Sequence, residues 1–179
     1  MKTHAILLLC AALSACSTRG ALSPPPSQPV APPPAPKPVA QALPTDNWED
    51  RPATPGDWVY RQDKRGSIAL FGPKGANALF AIRCEMASKR IYLTHTGQFP
   101  DGETGKMTIR ATSGLKTYPA SNTGGAPPLV GAELEVSDAH LDMMAYSRGK
   151  FIVQIKGSTD LVVPSWPEVA RVVEDCRAS

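Results

Sequence analysis

Beyond residue 56 the chain runs in short segments in which apolar and polar positions alternate, and turn residues close each segment. A period of two marks strands with one buried face. Asp57-Trp58-Val59-Tyr60 follows a Thr-Pro-Gly turn, and residues 67–71 follow Lys-Arg-Gly and stop at Gly72-Pro73. Phe80, Ile82 and Cys84 share one face of residues 78–84, and Ile91, Leu93 and His95 share one face of residues 90–96. Met107, Ile109 and Ala111 do the same in residues 106–112. Ala132, Leu134 and Val136 mark a further strand, Phe151, Val153 and Ile155 another, and residues 161–163 the last. Two stretches have helical spacing instead. Residues 137–147 place Leu141, Met144 and Ala145 on one stripe behind a Ser137 cap. Ser165-Trp166-Pro167-Glu168 reads as a capping box with proline in the first turn, and Val169, Val172, Val173 and Cys176 then recur at helical intervals. The expected fold is mainly β: an antiparallel β-sandwich or partly open barrel with a C-terminal helix and a short internal one.

The first 45 residues follow other rules. Lys2 and the apolar run Ala-Ile-Leu-Leu-Leu-Cys-Ala-Ala form a secretory n-region and h-region. That run is well short of the roughly 20 residues of a spanning helix. Leu13-Ser14-Ala15-Cys16 resembles the lipobox cut by the lipoprotein signal peptidase. The resemblance implies a signal peptide over residues 1–15, diacylglycerol on the Cys16 sulfur, and an acyl chain such as palmitate on its amine. Ser17, where an Asp would hold the protein in the inner membrane, favours the periplasmic side of the outer membrane. Residues 21–45 hold more than half of the 19 prolines and should populate extended polyproline II, a tether reaching roughly 80 Å. The organisation expected is a lipidated N-terminus and tether over residues 16–45, then one globular domain over residues 46–179.

Charge and cysteine count sharpen this picture. The chain has a formal net charge of +3, but Lys2, Arg19 and Lys37 all precede the domain, which leaves sixteen basic residues against sixteen acidic ones. A charge-balanced domain offers no electrostatic case for nucleic acid. With Cys10 cleaved away and Cys16 lipidated, Cys84 and Cys176 remain, and two cysteines in an oxidising periplasm are expected to pair. No CxxC spacing or neighbouring histidine supports a metal pair or a redox couple.

Leu79-Phe80-Ala81-Ile82-Arg83-Cys84, followed by a strand at Arg90-Ile91-Tyr92-Leu93, resembles a pattern in periplasmic accessory proteins of type VI secretion. The closing strand, short helix and second cysteine fit the same pattern. Ser147-Arg148-Gly149-Lys150-Phe151 and Pro164-Ser165-Trp166-Pro167-Glu168 are similar to segments of small lipoproteins of unknown function. Ser113-Gly114-Leu115-Lys116-Thr117-Tyr118 resembles the Ser-Gly-x-x-Tyr loop with which lipid-anchored lysozyme inhibitors plug the enzyme cleft, with one residue more between Gly and Tyr. The candidate binding positions are therefore Ser113, Gly114 and Tyr118, together with Trp58 and Tyr60.

No motif predicts an enzyme. In Gly102-Glu103-Thr104-Gly105-Lys106 a phosphate loop lacks its first glycine, where Pro100 stands, and has Met107 in place of Ser or Thr. It reads as a turn entering a strand. Asp138-Ala139-His140-Leu141-Asp142 has metal-ligand residue types, but on a helix His140 faces away from both carboxylates. His95 is the remaining histidine of the domain, and no GxSxG elbow accompanies it. The expectation is a non-enzymatic envelope lipoprotein without cofactor or metal, doing structural or protein-binding work with an envelope protein partner. The alternatives are an inhibitor-like binder using residues 113–118, and a hydrolase or metal-dependent enzyme using His95 or His140.

Overall fold

The computed structural model describes residues 47–178; the expected signal peptide, the expected lipidation site Cys16 and the Pro-rich segment lie outside the described residues. A 3-10 turn at Trp48–Asp50 precedes strands β1 (Asp57–Asp63), β2 (Gly66–Gly72), β3 (Phe80–Glu85), β4 (Arg90–Thr96), β5 (Gly105–Ala111), β6 (Gly114–Asn122) and β7 (Leu129–Glu135). Helix α1 (Ala139–Ala145), β8 (Lys150–Ile155), β9 (Leu161–Pro164) and helix α2 (Pro167–Ala178) complete the chain. All pairings are antiparallel, in the order β1-β2-β3-β4-β7-β6-β5-β8-β9. The sheet curls into a half-barrel, so of the two expected architectures the partly open barrel is the one formed.

Curvature follows from which side chains meet. Phe80 of β3 and Phe151 of β8 lie five places apart in the strand order, yet their rings meet edge to face with centroids 6.0 Å apart. Trp58 of β1 packs on Phe71 and Phe80, and its indole N–H donates to the Pro164 carbonyl of β9 at 2.8 Å. The outermost strands are thereby linked by a side chain rather than by a ladder. Trp48, Ile152 and Val162 make a small second cluster near β8 and β9. The stretch after the 3-10 turn is tied to β9 through the Thr54 amide and the Val162 carbonyl.

Helix α2 fills the hollow. Its buried residues are Val169, Val172, Val173 and Cys176, the stripe read from the sequence. It packs against β2, β3 and α1. Each fully buried valine contributes about 1.5–3 kcal/mol through the hydrophobic effect. Cys176 bonds Cys84 on the inner face of β3, with their Cα atoms 5.4 Å apart.

Three local expectations are corrected. Residues 114–122 form β6 rather than a loop, because Thr112-Ser113 makes a two-residue turn that folds Gly114 back opposite Ala111. Helix α1 is capped by Asp138 instead of Ser137: the carboxylate accepts from the His140 amide at 2.9 Å, a bond that a cap one residue earlier does not make. Ser165 is not the cap of a capping box, since α2 starts at Pro167. Its hydroxyl reaches the Met144 and Ala145 carbonyls at 2.7 Å and satisfies the C-terminus of α1.

The disulfide closes a separation of 92 residues, which in the chain-entropy account corresponds to about 4–5 kcal/mol. The double variant Cys84→Ala, Cys176→Ala should therefore lose about 4 kcal/mol of unfolding free energy in urea titrations. An unchanged urea midpoint would show that packing alone seats α2. Because the two sulfurs are bonded to each other and buried, thiol reagents should label neither cysteine, even in denaturant, until a reductant is added.

Candidate functional site

The five candidate binding residues do not form one surface. Trp58 is buried against the core phenylalanines. Tyr60, two residues along the same face of β1, donates its hydroxyl to Asp175 of α2 at 2.6 Å, and the Arg171 guanidinium lies 3.8 Å from its ring centroid. Burial and the Asp175 carboxylate push its phenol pKa up. Both aromatics therefore tie β1 to β9 and α2. Ser113 is exposed in the β5–β6 turn, and Gly114 lies where an added Cβ would come within 2.9 Å of the Met143 sulfur. Tyr118 is buried, and its hydroxyl donates to Asp138 at 3.1 Å. β1 and β6 stand five places apart in the strand order.

Asp138 is the polar hub of this region. Beside capping α1, it accepts from Lys116 at 2.7 Å and from Tyr118. Burial pushes its carboxyl pKa up, but Lys116, the His140 amide and Tyr118 outweigh burial and hold it below the usual range. Burial and the same carboxylate raise the Tyr118 phenol. These contacts bridge a place where the ladder fails: β6 and β7 pair only through Ser121–Gly131 and Asn122–Val130. Beyond those pairs, side chains of β6 reach Asp138 just past the end of β7.

Both histidines are turned into the core. His95 is 1 % exposed; its Nδ1 lies against the Thr96 carbonyl, and its Nε2 is buried without a hydrogen-bond partner. His140 is 3 % exposed, with Nε2 3.1 Å from the Ile109 carbonyl. Burial lowers the pKa of each ring, against the pull of neighbouring carbonyls and of Asp160 or Asp138. Asp142 forms a two-pronged pair with Arg177 of α2, so the Asp138, His140 and Asp142 side chains serve three separate partners. Among the described residues, no group of three His, Cys, Asp or Glu side chains is placed to hold a metal ion.

A recess lies on the outside, beside β5 and β8. It is a cleft of about 800 Å³ walled by Phe99 and Pro100, with Thr108 and Gln154 at its floor and Lys106, Lys156 and Glu103 around it. The wall is held by Asn122, whose side-chain amide accepts from the Phe99 N–H at 2.8 Å and donates to the Phe99 carbonyl at 3.0 Å. Gly105 is required beneath that wall, because a Cβ there would come within 2.4 Å of the Phe99 ring. The floor is fixed as well: Thr108 shares a hydrogen bond with Thr117 across the ladder, and Gln154 donates to Asp160. In the sequence Lys106 ends a failed phosphate loop and opens the strand over residues 106–112, and nothing there marks the cleft.

Two solution measurements follow. A histidine whose folded pKa lies below its unfolded value of about 6.5 favours the folded state above that pH, and the contribution is lost as pH falls below it. Stability should drop between about pH 7 and pH 5, and His140→Gln should flatten that slope. An imidazole that titrates at its ordinary value in proton NMR would contradict the burial argument. Asp138→Ala should cost about 2 kcal/mol in urea unfolding, and Asp138→Asn, which keeps the cap but not the charge, clearly less. Equal losses would assign the whole effect to the charge.

The functional reading rests on the chain's own residues and geometry, since comparisons with known protein families, with curated proteins and with solved structures find no match.

Proposed function

We propose that this protein is a non-enzymatic binding domain of the bacterial cell envelope. A lipid on Cys16 anchors it, the Pro-rich segment carries it on the periplasmic side of the outer membrane, and its outer surface engages another envelope protein. The observation that carries the reading is the separation of chemistry from the recess. The two histidines face backbone carbonyls inside the barrel. The outer cleft instead gathers lysine, threonine, glutamine and an apolar wall, side chains suited to holding a ligand. The Cys84–Cys176 disulfide is consistent with an oxidising compartment.

Labelled palmitate should enter the wild-type chain and not Cys16→Ala; incorporation into the variant would refute the anchor. A photo-crosslinking residue at Thr108 or Gln154 should capture the same envelope protein in living cells, and one at exposed Val59 on β1 should not. Crosslinks that do not depend on position would remove the binding reading.

A further inference from the structure

The two edges of the sheet are finished differently. β9 is four residues long and ends in Pro164, and Thr54 takes up both main-chain groups of Val162. Short strands, proline and covering segments protect an edge against pairing with another chain. β1 has none of these. It runs for seven residues, Asp-Trp-Val-Tyr-Arg-Gln-Asp, without proline or lysine, and Val59 is 46 % exposed. Lys64-Arg65 is a two-residue turn, so Asp63 and Gly66 close the hairpin as a hydrogen-bonded pair. Counting back by twos, Asp57, Val59, Arg61 and Asp63 bond to β2, and the main-chain groups of Trp58, Tyr60 and Gln62 point away from it. Those outward groups have no hydrogen-bond partner among the described residues.

The sequence of β1 is complementary to itself. On its outer face Asp57, Val59 and Arg61 stand at alternate positions, and all three line one recess beside Leu70. Two such strands, set antiparallel about a two-fold axis through Val59, place Asp57 of each copy opposite Arg61 of the other. The same register puts Trp58 opposite Tyr60 twice, and their outward N–H and C=O groups complete four main-chain hydrogen bonds. The two Val59 side chains meet at the axis as a non-hydrogen-bonded pair, the closer kind. Neighbouring registers lose the match. An axis at Tyr60 sets Asp57 opposite Asp63, one at Arg61 sets that arginine against itself, and one at Trp58 faces Asp57 with Val59. We infer that the β1 edge joins two copies of this chain into a symmetric dimer with one continuous sheet, held in register by two Asp57–Arg61 pairs. This surface is separate from the cleft beside β5 and β8, so failure of the dimer would leave the Thr108 and Gln154 crosslinks untouched.

Val59→Cys places two thiols across the axis with Cα atoms about 4.5 Å apart, within the range of a disulfide. In cells treated with a mild oxidant it should link two copies, giving a band of twice the chain's mass that reductant removes. Arg61→Cys, whose copies lie roughly 14 Å apart in this register, should not link. Leu115→Cys, exposed on β6, should not link either. Sedimentation of the full chain carrying Cys16→Ala should show a dimer with a dissociation constant of about 100 μM or less. Arg61→Asp should weaken it at least about tenfold, and Asp57→Arg likewise. Combining the two should restore association, because each copy again offers both charges. Both side chains are exposed, so the single variants should match the parent's thermal midpoint at high dilution, which separates lost association from lost folding. A monomer up to about 1 mM, or a charge swap that fails to restore association, would overturn the inference. So would Val59→Cys linking no better than Leu115→Cys. A Val59→Cys link to a different protein would also overturn it, and would give the edge to a foreign strand.

Discussion

A sheet that curls without closing leaves a concave apolar face, and the same chain has to cover it. Here α2 does so, laying Val169, Val172 and Val173 against the inner faces of β2 and β3 and bonding Cys176 to Cys84. Other features of the interior follow from that placement. The outer strands can remain unpaired because Trp58 links β1 to the Pro164 carbonyl and Tyr60 links β1 to Asp175 of α2. Helix α1 can end abruptly because Ser165, just before α2, takes up its last carbonyls. Helix and sheet edges are thus one problem with one solution, and the disulfide holds it at the helix C-terminus.

Polar groups inside such a barrel must find partners locally, because burial without a hydrogen bond is costly. Asp138 shows how several needs converge. The carboxylate caps α1, receives Tyr118 and Lys116, and closes the seam where β6 departs from β7. Asn122 plays the same part at the other end of β6, pairing its amide with the Phe99 backbone as a strand would. Both residues substitute side chains for missing ladder bonds. The two ends of β6 are therefore fixed even though little of its length pairs with β7.

Most of the interior was legible because each inward face repeats with a clear period. Phe80-Ile82-Cys84 and Ile91-Leu93-His95 alternate cleanly, and the valines of α2 recur at helical spacing. β6 escaped detection because its inward positions are Lys116, Tyr118 and Ala120 and its other face carries Pro119, so hydrophobic alternation is faint. Its strand state is imposed by the β5 ladder, a tertiary effect that outweighs local propensity. Trp58 and Tyr60 are candidate binding aromatics in the sequence; the strand period puts them on one face, but nothing local says that β9 and α2 cover that face. The cleft was hidden for a different reason. Lys106 and Lys156 are fifty residues apart in sequence, and they line one cleft only because β5 pairs with the non-consecutive β8.

That contrast also explains where binding chemistry can reside in a fold of this kind. Inside the barrel, Asp138 is answered by Lys116 and His140 by the Ile109 carbonyl, while His95 Nε2 and the Ser67 hydroxyl stay without a partner. Such matched groups stabilise the fold and have little left to offer a ligand. Outside, the cleft beside β5 and β8 gathers Lys106, Thr108, Gln154 and Lys156 next to the Phe99 backbone, which the Asn122 amide holds in place. The exposed side chains of that cleft can reach a partner outside the domain, whereas the buried histidines cannot.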